Sequence, residues 1–183
     1  MKTPQRFETA KWEDVPKDIQ THFVTIREHR KGLYIHGGVG TGKTHLLYAI
    51  KKGHEEKEVP VATVRVYNCT EMLRQMRDDF NKNDKFDTYD LLEDLLSYRG
   101  LLMIDDIGSE KLSDWVLETF YLLVNKRYEE NIPTIFTSNL KIGELADRIG
   151  DRTVSRIVEL CKIVSLDGED KRILKHKTEK RKS

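Results

Sequence analysis

Residues 37 to 45, Gly37-Gly38-Val39-Gly40-Thr41-Gly42-Lys43-Thr44-His45, crowd four glycines against a lysine and a hydroxyl. The spacing Gly37-x-x-x-x-Gly42-Lys43-Thr44 fits a phosphate-binding loop. With no Cβ in the way, successive backbone N–H groups can turn inward around a β-phosphate, Lys43 can reach the β- and γ-phosphates, and the Thr44 hydroxyl can ligate Mg²⁺. Residues 37–45 are therefore the expected contacts for a nucleoside triphosphate.

Two further pieces could complete such a site. Leu101-Leu102-Met103-Ile104 runs straight into Asp105 and Asp106. That is a buried strand with two carboxylates at its C-terminal end, the edge at which open α/β sheets bind ligands. Adjacent acids repel each other unless a cation is near, so Asp105 is the expected second Mg²⁺ ligand beside Thr44. Asp106 is the group expected to orient or deprotonate an attacking water. About thirty residues on, Ile135-Phe136 leads into Thr137, Ser138 and Asn139, where an amide could bond both a γ-phosphate and that water.

These residues need elements to hold them. Strand signals at 32–37, 61–67, 101–106, 134–138 and 162–166 alternate with helix signals at 43–53, 70–81, 87–97, 113–130, and 141–149 continuing into 151–160. Such alternation predicts an α/β protein with a parallel sheet covered by helices. The phosphate loop then opens onto a helix N-terminus, where the helix dipole favours an anion. The helix from Ser113 is apolar nearly all round, which predicts burial on more than one side. Residues 1–31, with Phe7, Trp12 and Pro16, read as an irregular arm packed on a 32–168 core, and residues 169–183 as a basic, flexible tail.

Composition narrows the classes. The chain has 183 residues, 38% hydrophobic and 34% charged, with a formal net charge of +1. It contains no apolar run of membrane-spanning length and no signal-like apolar segment near its first residues, so a cytoplasmic protein with no membrane partner is expected. Cys69 and Cys161 lie far from any metal-ligand or disulfide pattern and read as small buried apolar residues. The tail 171–183 carries seven Lys or Arg against one acid. It adds sequence-independent attraction to phosphate.

The three pieces, in this order, resemble an ATPase of the AAA+ class. The segments GGVGTGKTHLLYAI, LLMIDDIGSEKLSDWV, YEENIPTIFTSNL and DRTVSRIVELCKIVSLDGEDKR are similar to the ATPase domain of the DnaC/DnaI helicase loaders of bacteria and phages, a group that includes the IstB transposition ATPases. The similarity runs over roughly residues 5 to 173. It implies a three-layer α/β/α P-loop NTPase with a five-stranded parallel sheet, binding ATP and Mg²⁺. It also implies self-association into nucleotide-dependent oligomers, a grip on single-stranded DNA and a replicative helicase as partner. An IstB-like regulator acting on duplex DNA, a small-molecule kinase and a nucleotide-dependent binding module without turnover are the alternatives.

By the same resemblance, Arg156 is the finger that reaches the ATP of an adjacent copy, Arg152 its support or alternative, and Arg172 a second phosphate sensor. Arg148, Arg152 and Arg156 recur every four residues and would share one face of a continuous helix; a solvated stripe is the plain alternative. The pair Asp105-Asp106 stands where many AAA+ proteins carry Asp-Glu, and the shorter Asp106 predicts slow turnover. About thirty residues precede the loop, where cellular loaders carry a helicase-holding domain, so an excised domain and a short relative are both expected possibilities.

For DNA, Arg74, Arg77, Lys82 and Lys85 offer phosphate contacts, with Phe80 or Phe86 to stack a base. Lys111 is a similar candidate. An amphipathic helix with Met72, Leu73 and Met76 in the core explains the same segment without DNA, and Asp78, Asp79, Asp84 and Asp87 dilute its positive field.

Overall fold

A computed structural model of the chain describes residues 3–56, 63–80, 90–111, 113–168 and 170. Five strands form: β1 Gly32–His36, β2 Val64–Asn68, β3 Leu101–Asp105, β4 Thr134–Ser138 and β5 Cys161–Ser165. All pair in parallel, in the order β2-β3-β4-β1-β5. β3 and β4 are buried at every position and β1 at four of its five, so these strands need no alternation of exposed residues; the buried hydroxyls of Thr134, Thr137 and Ser138 in β4 are each hydrogen-bonded.

Alternate residues leave the sheet on opposite faces. Leu33, Ile35, Leu101, Met103 and Ile135 join one core, while Tyr34, Leu102, Ile104 and Phe136 join the other. The first core is closed by α3 (Lys43–Glu56) and the segment before β1; the second by α4 (Cys69–Phe80), α5 (Leu91–Ser97), α6 (Asp114–Glu129), α7 (Ile142–Ile149) and α8 (Asp151–Leu160). The result is three layers, helices on both faces of a parallel sheet. α6 packs against α5, α7 and α8, which explains its nearly all-round apolar character.

The segment before β1 is more regular than the irregular arm expected. It contains α1 (Lys17–Val24) and a single turn, α2 (Ile26–His29), after two short 3₁₀ turns. Pro16 starts α1, Asp18 favours its first turn, and Ile19 and Phe23, four apart, bury one stripe. Only two apolar anchors over eight residues leave a weak periodic signal. Trp12 is also buried and packs on Gly53 of α3, where a Cβ would fall 2.2 Å from the indole.

A second difference concerns the arginines. Gly150, at φ 85°, caps the end of α7 and the start of α8 and breaks the helix between them. Arg148 therefore belongs to α7, and only Arg152 and Arg156 share a helix. Cys69 and Cys161 are buried free thiols, as expected. Among the described residues no helix is long and apolar enough to cross a membrane.

Candidate functional site

The register of the sheet builds the site. Ile35 aligns with Thr137 and His36 with Ser138, so the C-terminal ends of β1 and β4 lie level. Ile104 aligns with Phe136, which brings the next residues of β3 and β4, Asp105 and Thr137, side by side. β2 adds Asn68 opposite Asp105.

The loop from β1 to α3 takes a path that side chains would obstruct. Gly40 and Gly42 have φ of 76° and 101°, in the left-handed region that glycine enters without steric cost. A Cβ on Gly40 would also fall 2.0 Å from the Asp170 carboxylate. Lys43, only 7% exposed, curls back over the loop: its Nζ donates to the Gly37 and Gly38 carbonyls at 2.7 Å each and to Asn139 Oδ1 at 2.8 Å. Thr41 Oγ1 closes the turn by donating to the Gly38 carbonyl at 3.0 Å.

The acids are held from two sides. Thr44 Oγ1, in the first turn of α3, donates to Asp105 at 2.9 Å to Oδ2 and 3.2 Å to Oδ1. Thr137 Oγ1 donates to Asp105 Oδ1 at 2.5 Å and accepts the Asp106 backbone N–H at 2.9 Å. One hydroxyl thus fixes both carboxylate-bearing residues. Burial raises the Asp105 pKa, the Thr137 and Thr44 bonds counter it, neighbouring Asp106 raises it further and Lys43 lowers it.

Asp106 has φ of 62°, a left-handed conformation that Asp tolerates better than most residues and that concentrates at functional sites. Its Oδ1 accepts from Asn139 Nδ2 at 2.8 Å. The Asn139 amide therefore links Lys43 through its oxygen to Asp106 through its nitrogen. Lys43, Asn139 and Asp106 form one chain of contacts, and Thr44, Asp105 and Thr137 another beside it.

This donor set fits Mg²⁺. The Thr44 hydroxyl at the start of α3 and the largely buried Asp105 carboxylate at the end of β3 are hard oxygen ligands, and a divalent cation would offset the burial that raises the Asp105 pKa. Around it lies a cleft of about 590 Å³, within the usual size for a small-molecule site. Val39, Gly40, Gly42 and His45 line it together with the residues above.

Arg6, Phe7 and Asn68 line the cleft as well, and sequence reasoning did not assign them to the site. Phe7 stacks on Tyr48 of α3 with centroids 5.0 Å apart. His45 Nε2 lies 3.0 Å from Asp14 Oδ2, and this bond, followed by the Lys11 backbone N–H, holds the Asp14 carboxyl below its ordinary range. The N-terminal segment is therefore a wall of the cleft. No spacing rule connects Arg6 or Phe7 with a loop thirty residues away; the polar end of the β4 strand did contain a signal for Thr137.

The other expected residues lie elsewhere. Arg152 and Arg156 are on α8, Arg148 is on α7, and none of them lines the cleft. Arg74 and Arg77 are exposed on α4, whose Met72, Leu73 and Met76 are buried, and the Arg77 guanidinium sits 4.9 Å over the Trp115 ring. Lys111 is exposed after β3. Lys82, Lys85 and Arg172 lie outside the described residues.

A first expected outcome follows from Thr137. Thr137→Val keeps the shape but removes both hydrogen bonds to the acid pair. Residues that orient metal ligands in this way cost about 10- to 100-fold in metal affinity or activity when replaced. Titration of the Mg²⁺ dependence of nucleotide binding should show that loss; an unchanged Mg²⁺ midpoint would show that the acids hold their places without the hydroxyl.

Comparison with known proteins shows the family. The sequence model of a family described as IstB-like ATP binding protein matches residues 14–180. The replicative helicase loader DnaI of Bacillus subtilis is 30% identical over 155 residues, covering 78% of this chain and 48% of the loader. The chain thus spans about half the length of that relative. Among solved structures, a DnaC helicase loader superposes with a TM-score of 0.72 at 27% identity, covering 90% of this chain and 100% of that one. A DnaI structure gives 0.72 at 26% identity, covering 90% and 95%.

Proposed function

Since the chain belongs to the IstB-like ATP binding protein family and has the AAA+ P-loop fold, we propose that it is the ATPase domain of a helicase loader. In this reading it binds ATP, hydrolyses it slowly, and assembles with its own copies on single-stranded DNA while engaging a replicative helicase. The observation that carries the proposal is the meeting of Lys43, Asn139 and Asp106 in one hydrogen-bonded chain beside Thr44 and Asp105.

Each residue then has a task. The loop N–H groups and the N-terminus of α3 receive the phosphates. Lys43 exchanges the Gly37 and Gly38 carbonyls for β- and γ-phosphate oxygens, while Asn139 keeps its amide between the γ-phosphate and Asp106. Thr44 and Asp105 would hold Mg²⁺, which would supply charge neutralisation for the phosphates. Asp106 orients the attacking water, with a carboxylate one methylene shorter than Glu; the greater reach required supports slow turnover. Phe7, backed by Tyr48, and Val39 offer apolar surface to the base.

Arg156 belongs to the site of a neighbouring copy, a role supported by its position on α8, away from its own cleft. Arg152 supports it, and Arg172 remains the proposed second phosphate sensor. Arg74, Arg77 and Lys111, with Lys82 and Lys85, are the proposed contacts to the DNA backbone. The matching family is described as IstB-like, and a second reading is therefore kept, the IstB-like regulator of transposition acting on duplex DNA that the sequence resemblance implies. Affinities for single- and double-stranded oligonucleotides of one sequence, compared at equal salt, separate the two.

Calorimetric titration with ATP and Mg²⁺ tests the central claim. The chain should bind, and Lys43→Ala should weaken binding by about 10- to 100-fold, the worth of a hydrogen bond to a charged group of about 1.5–3 kcal/mol. Absence of binding by the unaltered chain, or equal affinity in both, would overturn it.

A further inference from the structure

Arg156 of α8 is half-buried, and residues of α6 hold its guanidinium. Its Nε donates to Asn125 Oδ1 at 2.6 Å, and Nη1 donates to the Arg152 carbonyl at 2.9 Å. The guanidinium carbon lies 5.1 Å from the Tyr121 ring centroid and 5.7 Å from that of Tyr128.

The cradle is itself fixed. Asn125 Nδ2 donates to Glu129 Oε1 at 2.9 Å, which turns the amide oxygen toward Arg156. Tyr128 donates its hydroxyl to Glu159 Oε2 at 2.7 Å. Glu129 and Glu159 are thus engaged by Asn125 and Tyr128, and among the described residues no acid pairs with Arg156. A purely structural arginine gains most from a bidentate carboxylate. Here the charge is oriented by neutral acceptors and aromatic faces, and among the described residues Nη2 donates no hydrogen bond. That suits a cation that must deliver its charge to an anion from outside the chain.

We propose that Asn125 is the positioning residue of Arg156, setting the guanidinium before a second copy docks so that assembly delivers it to the triphosphate already oriented. This rests on the reading of Arg156 as acting on a neighbouring copy's ATP. A preset guanidinium spares the ordering of a long side chain at the moment of docking, and a misplacement of about 1 Å can cost about 10²-fold in rate.

The test mixes two full-length variants. Arg156→Ala keeps its cleft but has no finger; Lys43→Ala keeps its finger but has a disabled cleft. Each alone should be nearly inactive, and the mixture should regain ATP turnover. Adding Asn125→Ala to the Lys43→Ala chain should reduce that regained kcat by about 10- to 100-fold with the KM for ATP unchanged, because the altered chain contributes no working cleft. Asn125→Leu, similar in size but without the acceptor, should do the same, and sedimentation should show equal co-assembly. Full recovery with either Asn125 variant overturns the positioning role while the shared-site reading stands. If the mixture fails to recover even with Asn125 intact, the shared-site reading fails and the role of Asn125 falls with it. A fall in melting temperature together with full recovery would make the cradle helix packing alone.

Discussion

Arg156→Ala should lower ATP turnover by the assembled protein about 10³-fold or more while leaving ATP affinity of the dilute, isolated chain unchanged. The magnitude comes from the charge that develops on the transferring phosphoryl group, where a guanidinium is worth about 10³- to 10⁵-fold in rate. The asymmetry between turnover and binding comes from placement. Lys43, Thr44 and the loop lie in the chain's own cleft, whereas Arg156 is turned onto α6 and does not line it. Turnover measured against protein concentration checks this, since the unaltered chain should accelerate on assembly and the variant should not. Arg6 is the needed control, because it is a guanidinium that does line the cleft. If Arg6→Ala abolishes turnover and Arg156→Ala does not, the stimulating charge is supplied within one chain.

The largest expected effect on stability lies far from the nucleotide. Arg127 of α6 is 1% exposed, yet among the described residues no carboxylate accepts a hydrogen bond from it. Its Nε donates to Thr134 Oγ1 at 2.5 Å, Nη1 to the Tyr98 carbonyl at 3.1 Å, and Nη2 to the carbonyls of Gly100 and Pro133 at 2.7 and 3.0 Å. One side chain therefore ties together the segments that enter β3 and β4, the strands that lead to Asp105 and Asn139. Burial pushes its pKa down to about 10, so it remains charged at neutral pH. Since the folded value is lowered, stability should rise with pH only above that value, where the folded protein can release the proton and the unfolded chain still holds it.

Arg127→Met should cost about 3–5 kcal/mol, comparable to breaking a buried charged network, because three carbonyls and a hydroxyl lose their donor in a site closed to water. Urea unfolding should show a lower midpoint with an unchanged slope. A loss below about 1 kcal/mol would mean that water or a rearranged entry to the two strands replaces the guanidinium.

Much of the site was legible because its pieces are local. A phosphate loop is a property of consecutive residues, as is a buried strand ending in two acids, and the alternation of strands and helices fixes which edge of the sheet carries them. The same locality explains the shortfalls. The end of α7 at Gly150 separates Arg148 from Arg152, although a four-residue spacing alone runs through it. Eight residues with two apolar anchors gave too little period to mark α1. Arg127 reads in sequence as one more cation near the end of a helix, since nothing local says that four acceptors from two other segments enclose it.

The amino-acid order alone determined the class of fold and marked the loop proposed for a triphosphate with the carboxylates and amide proposed to serve it, because each depends on backbone freedom or side-chain chemistry within about ten residues. Only the tertiary structure decided which of those groups touch. Lys43 meets Asn139 across 96 positions and Thr44 meets Asp105 across 61, distances set by strand order and register. Thr137 between the acids, the N-terminal segment walling the cleft and the neutral cradle around Arg156 exist for the same reason: packing, rather than spacing, brings those chains together.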